Sequence, residues 1–126
     1  MQGEDSTKNA NAEGVQIVDW QRALRSVDGS EEALRELIEI FCGDECQKHM
    51  RCIREGLVSR DAVIVERAAH TLKGNADLFG ASRAYEAAKS LEELATAADL
   101  EGAARAWAAL EPELGYLQSE LASHAD

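Results

Sequence analysis

The sequence predicts an all-α fold: an up-down-up-down four-helix bundle with a short additional helix at its N-terminal end. Three observations carry this. Helix formers abound and breakers are few, with one proline in 126 residues. Apolar residues recur in steps of three and four along four long segments. No stretch shows the period-two alternation of a strand, and no internal repeat is visible. The length suits one domain with one core, not two.

Met1 to about Gly14 (MQGEDSTKNANAEG) is small and polar. It is expected to be a disordered tail or linker, which leaves 15–126 for the bundle. Val15–Val27 holds one short helix, with Asp19 as N-cap and Trp20 and Leu24 turned inward. Asp28-Gly29-Ser30 is a turn, and Ser30 caps a long second helix opening with Glu31 and Glu32, where negative charge suits the positive helix end. Its stripe is Leu34, Leu37, Ile38, Phe41, Cys42, Cys46, Met50 and Ile53, ending near Glu55, with a break over Gly56 to Arg60. The third helix runs from about Asp61 to Phe79, with Gly80 as its stop. Ser82 starts the fourth, whose stripe of Ala84, Ala88, Leu91, Ala95 and Ala98 implies close helix approach. Asp99 caps a fifth helix running toward Leu121, with Ala103, Ala106, Trp107, Leu110, Leu114, Leu117 and Leu121 inward. Pro112 is expected to kink or split it.

The formal net charge of −11 disfavours nucleic acid and anionic membrane surfaces as partners. No apolar run approaches the roughly 20 residues of a membrane span. Cys42, Cys46 and Cys52 are odd in number and follow no secretory signal, so reduced thiols and a cytoplasmic location are expected. Cys42, Cys46 and His49 share a spacing that can gather a metal on one helix face. The two cysteines also belong to the core stripe, where thiols behave as small hydrophobes, and a fourth ligand is not evident. No metal is therefore expected. His49 falls at the bundle edge, and His124 in a frayed, inert tail.

The chemistry lies on the third helix. At about 100° per residue, Val65, Ala68, Leu72, Ala76 and Phe79 form the core stripe. Val63, Glu66, Arg67, His70, Lys73, Gly74 and Asp77 fall on the other side, so His70 points to solvent from mid-helix. Gly74 then demands a reason, because a mid-helix glycine costs about 1 kcal/mol relative to alanine. It lies one turn beyond His70 on the same face, where lack of a side chain lets a bulky partner approach the imidazole. Lys73 adds positive charge beside the ring, suited to a phosphorylated imidazole with about two negative charges. An exposed neutral imidazole is itself a competent nucleophile toward phosphorus.

The run Ala69-His70-Thr71-Leu72-Lys73-Gly74-Asn75-Ala76-Asp77-Leu78-Phe79-Gly80-Ala81 resembles the signature of histidine-containing phosphotransfer (HPt) domains, AHTLKGSS followed by LGA. The match is strong at His70, Leu72, Lys73, Gly74, Gly80 and Ala81; Asn75 stands where serine is common. The likeness extends over about Val15 to Leu121, including the Leu-Ile-Glu-Ile-Phe stretch ending at Phe41. The resemblance implies a phosphocarrier of two-component phosphorelays. His70 attacks a receiver's phosphoaspartate through Nε2 and passes the phosphoryl group to a second receiver. The receivers supply the divalent metal and the acidic pocket, so the domain needs no cofactor and has no turnover of its own. Its partners would be response-regulator receiver domains and a hybrid sensor histidine kinase.

Counting from the turns puts Lys89 and Glu92 level with His70 on the fourth helix, as candidates to flank the phosphate. Gln47, Lys48 and Arg51 come level on the second. The expected docking face combines Val63, Arg67, Lys73, Gly74 and Asp77 with Lys48, Lys89 and Glu92. A monomer is expected, since all the apolar stripes fit inside one bundle.

Three other functions compete. The phosphoacceptor part of a histidine kinase would need an ATP-binding domain and an H-E motif, whereas Thr71 follows His70. A helical adaptor that binds a receiver without phosphotransfer would be marked by loss of His70 or Gly74, and both are present. A metal-binding bundle would need the missing ligand. Four-helix bundles host many activities, so the functional expectation rests on His70, Lys73 and Gly74 rather than on fold.

Overall fold

The computed structural model describes residues 16–125. The expected tail, 1–14, lies outside the described residues. Among the described residues, five helical rods follow one another with no strand. Helix α1 spans Trp20–Ser26. Helix α2 is one continuous rod of three stretches: Glu31–Ile40, a π-helical turn Phe41–Glu45, and Cys46–Ser59. Helices α3, α4 and α5 span Ala62–Leu78, Ser82–Thr96 and Leu100–Ala125. Helix α3 packs between α2 and α4, and α5 packs on α4 and closes onto α2. This is the four-helix bundle, with α1 lying against the α3–α4 end.

The caps expected at Asp19, Ser30 and Asp99 form, and Asp61 caps the third helix as well. Asp19 accepts from the Arg22 N–H at 3.1 Å, Ser30 from Ala33 at 3.1 Å, Asp61 from Ile64 at 3.3 Å and Asp99 from Gly102 at 2.9 Å. Each satisfies an amide that has no partner within its helix. The stop after α3 is a Schellman motif: Ala81 N–H donates to Ala76 O at 2.8 Å and Gly80 N–H to Asp77 O at 3.1 Å, with Gly80 at φ 64°. The same turn receives α1, because Asp19 N–H donates to the Phe79 and Gly80 carbonyls. Gly80 thus both ends the site helix and seats the N-terminal one.

The core contains Leu34, Ile38, Ile53, Leu72, Leu91, Leu110 and Leu114, each at most 1% exposed. Alanines at 84, 88 and 95 line the buried face of α4. Phe41 and Phe79 meet with ring centroids 5.5 Å apart, tying α2 to the end of α3.

Several expectations fail in detail. The second helix does not break at Gly56. It continues to Ser59, and Arg60 takes the left-handed position (φ 59°) while Asp61 N–H bonds Gly56 O at 2.8 Å. Gly56 is instead a close-approach residue; a Cβ there would lie 2.8 Å from Val65 Cγ2. The π-turn was not foreseen. It lets Phe41 and Cys46, five residues apart, both face the core. Ala98, placed in the fourth stripe, is exposed at another non-glycine left-handed stop (φ 59°).

Pro112 does not split α5. Pro112 and Ala108, whose carbonyl loses its amide donor, are both exposed, so water can take the vacant bond. The long fifth helix also carries His124 back onto the bundle rather than into a frayed end. Its ring stacks on Trp20 at 4.1 Å, and its Nε2 lies 3.3 Å from Glu31 Oε1. Trp20 is accordingly half-buried under His124, whereas Trp107 is a core anchor at 8% exposure.

Candidate functional site

The buried residues of α3 are Val65, Ala68, Ala69, Leu72 and Ala76, and this stripe fixes the rotation of the helix. His70, ninth of the 17 residues of α3, consequently faces solvent with its side chain 68% exposed. Val63, Arg67, Gly74 and Asp77 are exposed on the same helix, and Lys73 and Glu66 are half-buried. Nothing lies within 4 Å of where a Cβ on Gly74 would stand. The glycine is therefore not required by packing, and it leaves the surface beside His70 open.

Helix α4 contributes Glu92, which joins two residues of α3. Its Oε2 is 2.8 Å from His70 Nδ1, and its Oε1 is 2.7 Å from Lys73 Nζ. The Lys73 ammonium holds the Glu92 carboxyl below the usual carboxylate range, with the His70 hydrogen bond acting the same way. In return, Glu92 raises Lys73 above the ordinary lysine value. Both groups therefore stay charged at neutral pH. An ionised carboxylate can only accept, so Nδ1 must carry the hydrogen it donates to Glu92. Neutral imidazole has one N–H, which leaves the lone pair on Nε2.

The ring stands in an open cleft of about 580 Å³ lined by Glu66, Arg67, His70, Thr71 and Glu92. The Thr71 hydroxyl is turned away, donating to the Arg67 carbonyl at 3.2 Å. A cleft of this kind exposes one nitrogen nucleophile while holding the opposite edge of its ring. It is open to solvent and has no enclosing walls of the kind that hold a small substrate.

Not every expected site residue gathers here. Lys73 is close, but its charge is committed to Glu92 rather than free. Lys48 is exposed on α2 and pairs with Glu45 at 3.5 Å; no α2 residue lines the cleft. Lys89 is exposed on α4 outside the cleft lining. Asp77 is bound at the α1 end, 2.6 Å from Arg22, whose Nε also donates to the Asp77 carbonyl at 3.1 Å. That ion pair walls a second hollow together with Asp19 and Tyr85, and the hollow contains no histidine. Val63 is 52% exposed, two turns before His70, with Ile64 and Val58 also exposed near the α2–α3 turn. Glu66 and Thr71 join the cleft without having been singled out; Glu66 carried the signal of lying four residues before His70.

His49 Nε2 donates to Glu45 at 2.7 Å and its side chain is 15% exposed, a half-buried pair at the bundle edge. Burial pushes the Cys46 thiol up to about 12 and raises Cys42 as well, consistent with their place in the core. Among the described residues, no group of three His, Cys, Asp or Glu side chains is placed to hold a metal ion. No helix among them is long and apolar enough to cross a membrane.

Comparison with known proteins bears on the family and the fold. The Hpt domain family model matches residues 36–122. Among solved structures, histidine-containing phosphotransfer protein B (HptB) from Pseudomonas aeruginosa PAO1 superposes with a TM-score of 0.78 over 86% of this chain and 94% of that one. At 22% identity this is a likeness of fold. No curated protein matches.

Proposed function

The chain belongs to the Hpt domain family, a family of histidine phosphotransfer proteins of phosphorelays, and from that premise we propose that His70 Nε2 carries a phosphoryl group between receiver-domain aspartates. The observation that carries this reading is the pairing of His70 Nδ1 with Glu92. It directs the free lone pair to the exposed nitrogen, in a cleft open enough for a phosphoryl group carried on another protein to reach it.

In this reading the receiver supplies the phosphoaspartate and its acidic pocket. This chain supplies the oriented nucleophile and a docking face. Gly74 leaves room for the receiver's loops to reach Nε2, and Val63 and Arg67 extend the contact along α3. Arg67 and Lys89, both exposed, place positive charge beside the site on an otherwise acidic body, available to an acidic partner. Lys73 lies at the rim of the transferred phosphoryl group, tethered by Glu92. Lys48 and Asp77 lie further out, at the margins of such a footprint. Neither a cofactor nor turnover of its own is needed for this role, and one copy of the chain provides the whole site.

The test is to mix the protein with a receiver domain labelled on its aspartate. Wild type is expected to take up acid-labile, base-stable label and His70→Gln none. Binding of the receiver without label transfer would favour the adaptor reading, and label persisting in His70→Gln would place the phosphoryl group elsewhere.

A further inference from the structure

Glu92 does more in this geometry than choose the attacking nitrogen. During the forward step the Nε2 lone pair forms the N–P bond, and the P–O bond to the receiver's aspartate breaks, its electron pair leaving with the carboxylate. The Nδ1 proton takes no part. The immediate product is a phosphoimidazolium: a ring with one positive charge, a phosphoryl group with two negative ones, and an N–H still facing Glu92.

The fate of that proton decides how easily the phosphoryl group moves on. If it stays, the next carboxylate forms its O–P bond while the N–P pair returns to Nε2, and the leaving group is neutral imidazole. If it is lost to solvent, the leaving group becomes imidazolate, a far stronger base that departs slowly. Acid-labile, base-stable phosphohistidine expresses this same dependence.

We infer that Glu92 is a positioning residue that retains the Nδ1 proton on the phosphorylated ring, so that His70 is held in the transfer-ready phosphoimidazolium form. This rests on the reading of His70 as phosphoacceptor. The charged groups around the ring fit the assignment. Helix α3 presents Glu66, Arg67 and Lys73, and α4 presents Glu92; α1 and α2 place nothing in the cleft. Glu66 and Arg67 offset one another at the mouth. Glu92 is the group in direct contact with the ring among the described residues. Lys73 acts through Glu92: its ammonium, 2.7 Å from Oε1, weakens the carboxylate as a base, so that the shared proton stays on Nδ1. Across a full cycle no proton enters or leaves, so transfer in either direction has the same requirements.

The test compares wild type with Glu92→Gln, which keeps an acceptor for Nδ1–H but removes the charge. Both are loaded with phosphoryl groups from phosphoramidate, freed of donor, and followed for loss of phosphohistidine from pH 5 to 9. Loss should be fast where the ring is protonated and slow above. Removing the adjacent charge should move the midpoint down by about one pH unit, making cleavage near neutrality up to about tenfold slower in the variant. The nitrogen-15 shift of Nδ1 in the loaded wild type should report a protonated ring over the same range, independently of the variant. Equal loading with coincident pH profiles would overturn the role of Glu92 and leave the carrier reading standing. A wild-type His70 that accepts no phosphoryl group from this donor or from a receiver would overturn both.

Discussion

Replacing Gly74 with leucine should slow phosphoryl exchange with a receiver by about a hundredfold while making the protein more stable. The two effects have different origins. A mid-helix glycine costs roughly 0.5–1 kcal/mol against a good helix former. A Cβ at Gly74 would touch nothing within 4 Å, so the substitution recovers that helix propensity without a clash. The same side chain would stand one turn beyond His70 on the open face, where the partner has to approach. Displacing reacting atoms by about 1 Å is enough for a hundredfold loss. Chemical denaturation and transfer kinetics on the same variant check both signs. A variant that is slower and also less stable would mark Gly74 as a packing residue, and one that transfers normally would remove it from the docking face.

Six residues along the chain, Gly80→Ala should do the opposite: a loss of about 2–4 kcal/mol in stability. Gly80 sits at φ 64°, where alanine is strained, and its Cβ would lie 2.6 Å from Asp19 Cβ and 3.1 Å from the Asp19 carbonyl oxygen. That carbonyl begins α1, bonding the Ala23 N–H at 2.9 Å, so it cannot move aside without displacing the helix start. The loss is a large fraction of the roughly 5–15 kcal/mol that holds a domain folded, and Tm should fall by roughly 10 °C or more. Thermal and urea unfolding would show it. A change under 1 kcal/mol would mean that the α1–α3 junction yields at little cost. The contrast with Gly74 lies in the space each would fill: a Cβ at Gly80 meets Asp19, and one at Gly74 meets nothing within 4 Å.

Much of this was legible in the chain because helical period and core burial are coupled. Val65, Ala68, Leu72 and Ala76 set the rotation of α3, and that alone turns His70 and Gly74 outward. Polar caps at Asp19, Ser30, Asp61 and Asp99 mark their helix starts locally, and Gly80 marks a stop because glycine favours positive φ. The stops at Arg60 and Ala98 carry no such mark, since packing around the turn imposes a left-handed backbone on residues that do not favour it. The π-turn is similar: the five-residue spacing from Phe41 to Cys46 hints at it, but the adjacent Cys42 hides the gap by continuing the regular stripe.

At the site, counting from a turn gives the level of a residue but not its direction. Lys89 and Glu92 were equally placed by counting, and only the packing of α4 on α3 aims Glu92 at His70 and Lys73. Sequence also suggested a lysine with a free charge beside the ring. The structure pairs that charge with Glu92, which changes how Lys73 acts without moving it from the site. Lys48 and Asp77 were drawn in by level and by face; ion pairs with Glu45 and Arg22 hold them away from the cleft. His124 shows the limit of end effects, because only the length of α5 beyond Leu121 brings it onto Trp20.

The central claim is that the phosphoryl group is carried on one nitrogen of one histidine. The direct measurement is nuclear magnetic resonance of the phosphorylated protein with nitrogen-15 in its histidines, reading which ring nitrogen couples to phosphorus. Coupling is expected at Nε2 of His70, with a proton on Nδ1 and unchanged rings for His49 and His124. Phosphorus on His70 Nδ1, or on either of the other two histidines, would contradict it.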